Sequence, residues 1–287
     1  MGMNGAVELL IEPLRYGFLL RALVAAVLVG AICAMVGSYV VLKGLAFIGD
    51  ALAHVAFTGI VVAFLAGFSF YIGALAAAIA AGLGIGWVTR RVGLSTDTAI
   101  GIVFSGVFAL GVVLMAIGIR TYTVDLFSYV FGDILAVRAR DLWAIALAGL
   151  LVVGTIVALY KELLFAHFDP VVAEAAGLPV GALQLLLLLL LSVTVVVSVQ
   201  AVGVVLVLAM LVTPAATAAL VARRLPAMMI LAVLFGALAA LVGFYLSYYA
   251  SVPSGGAIVL VATVLFVLVA ALVRGRGAWR RLMAAYR

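Results

Sequence analysis

Residues 43–67 read KGLAFIGDALAHVAFTGIVVAFLAG. The stretch is long and apolar enough to cross a bilayer as a helix, since about 20 residues at a rise of about 1.5 Å span a hydrocarbon core about 30 Å thick. It nevertheless carries Asp50 and His54 one turn apart, with Thr58 a further turn on. Residues four apart share a helix face, so the three form one polar stripe on an otherwise apolar helix. Counted from Lys43, the rise predicts Asp50 roughly 10 Å and His54 roughly 16 Å into the core. An ionisable residue at such a depth is costly unless partnered, and it ordinarily faces a bundle interior or an ion path. Three readings fit the spacing. The carboxylate and imidazole could share a divalent first-row metal, relay protons, or simply hydrogen-bond to each other and fix helix packing. Two ligands are too few for a closed metal site, which takes about four.

The rest of the chain has the same character. Of 287 residues, 69% are hydrophobic and 9% charged, whereas soluble domains are about half apolar and about a quarter charged. The expected fold is all-α: a polytopic membrane protein forming one transmembrane domain over residues 1–287. Apolar runs predict nine spans, at 17–42, 44–67, 70–89, 98–118, 141–160, 181–199, 201–222, 226–249 and 256–273, with eight the nearest alternative. The start, MGMNGAVELLIEPLRY, has acids where a signal peptide needs positive charge and shows no small-residue cleavage site, so the first run is expected to remain in the mature protein. Residues 1–16 read as an outer interfacial segment, its helix ended by Pro13. Cys33, the one cysteine, lies within an apolar run and reads as a small core residue, which excludes an intrachain disulfide.

The net charge of +6 does not point to nucleic acid, because the basic residues sit in the breaks between spans and in the tail from Arg274 to Arg287. With a cytoplasmic C-terminus, alternation places Lys43, Arg90, Arg91, Lys161, Arg223, Arg224, Arg274, Arg276, Arg280, Arg281 and Arg287 inside. Arg15, Arg21, Arg120, Arg138 and Arg140 fall outside, and this excess of inner basic residues favours a cytoplasmic C-terminus and an outer N-terminus. The chain is thus expected in the cell membrane, with 161–180 and the tail 274–287 cytoplasmic.

Three further features bear on function. Ala78, Gly82 and Gly86 at spacing four predict a close helix contact in the third span. Pro214 predicts a kink or break in the seventh, with Thr213 and Thr217 placed to satisfy freed carbonyls. In KELLFAHFDPVVAEAAGLPV, Pro170 can open a short helix and Gly177 and Pro179 can end it, with Val171, Val172, Ala175 and Ala176 as an apolar face able to dock in a groove. His167 in that loop reads as a surface residue. Asp125 and Asp133, in or beside the long outer loop 119–140, are candidate accessory metal contacts at an outer mouth. Neither Lys43 nor Lys161 stands in a G-x-x-x-x-G-K-[ST] phosphate loop, so the chain is not an ATPase by that chemistry.

GLAFIGDALAHVAFTGIVVAFL resembles the signature of the permease subunits of zinc, manganese and iron ABC importers, with its Gly-Asp-Ala-Leu-(small)-His pattern. STDTAIGIVFSGVFALGVVL from Ser95, VDLFSYVFGDILAV from Val124, DPVVAEAAGLPV from Asp169 and QAVGVVLVLAMLVTPAATA from Gln200 fit the same family in order. The resemblance covers nearly the whole chain. It implies a type II importer-like permease in which Asp50 and His54 belong to the metal pathway, with Thr58, Asp125 and Asp133 as lesser candidates. It also implies that Asp169, Glu174, Ala175, Ala176 and Gly177 couple to ATP hydrolysis. The implied partners are two cytoplasmic ATP-binding subunits, a second copy of the chain, an extracellular or periplasmic metal-binding protein and the lipid membrane. No cofactor is expected to be permanently bound; Mn(II), Zn(II) or Fe(II) would be cargo. Two copies would supply four ligands. The alternatives are a proton-coupled secondary metal transporter with Asp50 and His54 as relay, and an intramembrane metal hydrolase, which would need a third ligand and a general base.

Overall fold

The computed structural model describes residues 12–118 and 134–285, and these are helical apart from turns and connections. The helices are α1 (Gly17–Leu42), α2 (Ile48–Ala66), α3 (Phe70–Val92), α4 (Thr96–Gly118) and α5 (Ala139–Ala158), followed by the short α6 (Tyr160–Phe168) and α7 (Pro170–Ala175). Then come α8 (Val180–Val202), α9 (Val204–Ala219), α10 (Leu225–Ala250) and α11 (Ser254–Ala285). Eight of them are long and apolar enough to cross a membrane. The remaining predicted span, 201–222, is the shorter apolar helix α9, whose 16 residues rise only about 24 Å. Both candidate counts thus have a basis: eight full-length helices and one short one among the described residues.

The break that shortens α9 lies at Gly203, not at Pro214. Gly203 has φ 84° and ψ 165°, a backbone region open essentially to glycine alone, and it ends α8. Pro214, by contrast, lies inside α9. A proline there removes one N–H, a loss that helices in apolar surroundings tolerate when neighbouring side chains help. The Thr217 hydroxyl donates to the Thr213 carbonyl at 2.7 Å, whereas the carbonyl that Pro214 leaves without its helical donor is that of Met210. At the N-terminus Pro13 sits within a 3₁₀ turn, Glu12–Arg15; the interfacial helix expected before it lies outside the described residues. At the other end α11 continues well past the predicted limit at residue 273.

The chain forms two compact units, one drawn from Met1–Val41, Asp133–Leu142 and Val205–Arg287, the other from Leu42–Gly132 and Trp143–Val204. In the first, a buried cluster of Ala34, Ala215, Ala218, Met228 and Ala232 joins α1, α9 and α10, with Val41, Leu231 and Phe235 packed around it. Alanines there let helix backbones approach, the packing mode available where no water drives association. α10 also packs along α11. In the second, α2 is the central helix and packs against α3, α4 and α8. Its tightest crossing is with α3, where a Cβ on Gly59 would overlap the Gly73 carbonyl. The predicted stripe is only partly used: Ala78 is fully buried, but a Cβ on Gly86 would meet nothing within 4 Å. Small residues permit close approach; which of them is used depends on where the partner helix crosses.

Candidate metal-pathway site

The site begins where α2 begins. Residues 43–47 do not continue the helix, and Gly44 takes a positive φ of 68°. The helix therefore starts at Ile48, so Asp50 lies in its first turn, where a carboxylate is favoured by the unpaired N–H groups and the dipole. Along the axis Asp50 is about 3 Å and His54 about 9 Å from the helix start. The helical rise counted from Lys43 therefore does not apply over residues 43–47.

One turn separates the two side chains, and they meet. His54 Nδ1 lies 2.9 Å from the Asp50 carbonyl oxygen and 3.2 Å from Asp50 Oδ1. A carbonyl only accepts, and so does an ionised carboxylate; the proton is therefore on Nδ1, which donates. In the neutral imidazole this leaves Nε2 with its lone pair. An imidazole whose other nitrogen donates to a carbonyl or carboxylate is the usual state of a metal-ligating histidine. His54 and Asp50 keep 27% and 30% of their side-chain surface exposed, so the pair is reachable from one side. With Nδ1 turned to Asp50, the free Nε2 and the carboxylate do not converge on one point in this conformation.

The other walls come from α4. Phe104 and Phe108 stand edge-on to the His54 ring, each with centroids 5.4 Å away and interplanar angles of 72° and 85°. They are one turn apart and stack on each other at 6.0 Å. Thr58 is buried, and its hydroxyl donates to the Val107 carbonyl at 2.9 Å, tying α2 to α4. Gly111 makes room, because a Cβ there would overlap the Thr58 side chain. The stripe is thus divided in use, with Asp50 and His54 open and the Thr58 proton committed to a helix contact. Gly111→Val should lower the thermal midpoint of the purified protein by several degrees, since overfilling a packed contact costs about 1–3 kcal/mol. An unchanged midpoint would show that α2 and α4 are not clamped there.

Asp125 and Asp133 lie outside the described residues. Among those described, no group of three or more His, Cys, Asp or Glu side chains is placed to hold a metal. Sequence reading missed Phe104 and Phe108; the available signal was their spacing of four in FSGVF.

The short helix expected from Pro170 to Gly177 is reproduced in local detail. Asp169 Oδ1 accepts from the Val172 N–H at 3.0 Å and caps α7, with Pro170 at its first position. Gly177, at φ 85°, ends it. The Leu178 N–H reaches the Ala173 carbonyl and the Gly177 N–H the Glu174 carbonyl, both at 3.0 Å, the paired bonds of a Schellman motif. Ala173 is buried, whereas Phe168, Val171 and Val172 are 63%, 76% and 50% exposed. Asp169, Glu174, Ala175, Ala176 and Gly177 are also exposed. The apolar face is present and uncovered. His167 is half-buried, not a surface residue, and burial together with the nearby Lys43 charge holds its pKa below the ordinary imidazole value.

A bundle of helices long and apolar enough to cross a membrane, with a partly open Asp–His pair in one unit and a capped helix with exposed valines between α6 and α8, is the architecture of a multi-pass membrane protein. The model of the ABC 3 transport family matches residues 15–273, and the chain belongs to that family. It is 45% identical to the manganese transport system membrane protein MntC of Listeria innocua serovar 6a, over 88% of this chain and 90% of that one. It is 47% identical to MntC of Halalkalibacterium halodurans, over 90% and 88% respectively. Among solved structures it resembles PsaBC from Streptococcus pneumoniae in complex with Fab, with a TM-score of 0.81, 36% identity and coverage of 92% of this chain and 95% of that one. The chain is therefore a transmembrane permease subunit of an ABC transporter, and ATP hydrolysis lies in a partner subunit. ATPase subunits and a binding protein are implied by that assembly.

Proposed function

We propose that this permease carries Mn(II) inward, with Asp50 and His54 as the part of the pathway that meets the ion. The observation behind this reading is the Nδ1 contact to Asp50 in a pair that stays partly exposed, which in the neutral ring leaves the lone pair of His54 Nε2 for a metal. Asp50 contributes the negative charge that offsets the cation and orients the ring. Manganese is favoured among the candidate metals by the relatives named for it. In this conformation each chain offers the ion one imidazole donor, with Asp50 as its charge partner, and a second copy supplies further ligands. Incomplete coordination in each copy suits transport, because a pathway must also release its ion.

In this reading the N-terminus is outside and the C-terminus cytoplasmic, as the basic-residue distribution favours. An external binding protein delivers the ion, and two cytoplasmic ATPase subunits engage Asp169, Glu174, Ala175, Ala176 and Gly177. Membership of an ABC family replaces an ion gradient as the energy source, which sets aside the proton-coupled alternative. The test is ATPase stimulation in the reconstituted complex with its binding protein, comparing Mn(II), Zn(II) and Fe(II). Mn(II) is expected to stimulate most. Stimulation by Zn(II) alone would overturn the metal assignment.

A further inference from the structure

The geometry points to Phe104 and Phe108 as positioning residues that, with the Asp50 carbonyl, hold the His54 imidazole in its Nδ1–H form and keep Nε2 as the metal-binding atom. This inference rests on the reading of His54 as a metal ligand. The intrahelical contact at 2.9 Å is too little by itself to fix the ring. The Asp50 carbonyl also lies at the position that accepts the helical bond from the His54 backbone N–H four residues on, so the imidazole shares an acceptor already in use. The terminal torsion of histidine is broad and roughly two-fold, and half a turn exchanges Nδ1 for a ring carbon. A ring so turned loses both Asp50 contacts, and nothing then holds the proton on Nδ1.

The second constraint comes from α4. Phe104 and Phe108 both lie 5.4 Å from the imidazole and nearly perpendicular to it, at 72° and 85°. They support one another by stacking at 23°, and Phe57 packs on Phe108 at 6.0 Å. Edge-on aromatic contacts are orientation-dependent, so they resist rotation of the ring and not only its displacement. The wall is also delivered at a fixed height. Val107, which accepts the Thr58 hydrogen bond at 2.9 Å, lies in α4 between the two phenylalanines. Neither phenyl carries a donor atom for a cation. Their effect on a metal is therefore exerted through His54.

The experiment uses the full chain in lipid nanodiscs, labelled with ¹⁵N-histidine, at a pH well above the ordinary imidazole pKa. The chain has two histidines, so His167→Gln identifies the His54 signals in solid-state NMR. The wild type is expected to show Nδ1 protonated and Nε2 bare. Phe104→Leu with Phe108→Leu keeps apolar bulk but removes both rings. It is expected to populate the Nε2–H form and to weaken Mn(II) binding, read by paramagnetic broadening of the His54 signals, by about tenfold, the low end of the range for an outer-shell partner. Phe104→Tyr with Phe108→Tyr keeps the rings and should restore both readouts. If the double leucine variant fails to fold, each single leucine variant should show a partial shift to Nε2–H. A folded leucine variant with an unshifted tautomer and wild-type Mn(II) affinity would reduce the two rings to packing and overturn the inference. The parent reading fails differently: His54→Ala would then leave Mn(II) uptake by the complex unchanged, whatever the tautomer shows.

Discussion

His54→Ala is expected to reduce Mn(II) uptake by the reconstituted complex to background, and Asp50→Asn to reduce it by about 10–100-fold. Both variants should still assemble with the ATPase subunits. The two expectations differ because the two side chains do different things. His54 supplies the nitrogen lone pair, for which alanine has no substitute. Asp50 receives the Nδ1–H through both its carbonyl and Oδ1, and asparagine keeps the carbonyl and an amide oxygen while losing the negative charge. The Asn variant therefore measures the charge and its orienting effect, with the ligating atom left in place. His54→Ala also removes the ring contacts with Phe104 and Phe108, but both side chains are only partly buried and the α2–α4 clamp lies further along at Thr58 and Gly111. Loss of uptake with intact assembly supports the assignment, and wild-type uptake in either variant contradicts it. Loss of assembly would instead mean that the pair holds the fold.

The parts of this site legible in the sequence are those governed by helical periodicity. Asp50, His54 and Thr58 fall on one face because 3.6 residues make a turn, whatever surrounds them. Asp169, Pro170 and Gly177 mark the ends of α7 because caps are local hydrogen-bond chemistry. The start of α2 was not legible, because it depended on whether residues 43–47 were helix or turn, and Gly44 at φ 68° lies in that turn. The helix break was misplaced for a related reason. Proline advertises its missing donor, yet it is accommodated inside α9, while Gly203 does the breaking with a conformation that its neighbours in an apolar run give no cause to expect. Phe104 and Phe108 were hidden most completely. In an apolar span an aromatic pair at spacing four looks like lipid-facing bulk, and only the crossing of α4 over α2 puts it against His54.

Gly177→Arg is expected to uncouple ATP hydrolysis from uptake: the complex should hydrolyse ATP at a rate little changed by the loaded binding protein, while Mn(II) uptake falls about tenfold or more, the scale of a conformational linkage of about 1–3 kcal/mol. The cause is backbone geometry before it is charge. Gly177 sits at φ 85°, where a residue with a Cβ costs about 1–2 kcal/mol. The two Schellman bonds that depend on it, from Leu178 and Gly177 to Ala173 and Glu174, set the angle at which the chain leaves α7 for α8. α8 is the helix that packs on both α2 and α3. In the proposed coupling, a rigid exit from α7 would transmit a push on the exposed Val171 and Val172 face into α8 and so onto α2; a frayed exit would absorb it. Gly177→Asn separates the two causes, because asparagine tolerates the left-handed region far better than other residues with a side chain. It should retain most coupling, whereas Val171→Asp, which keeps the backbone but places a charge on the apolar face, should lose assembly with the ATPase. Equal loss in the Asn and Arg variants would show that what matters at this position is the absence of any side chain, and the contact surface itself would then have to extend over Gly177.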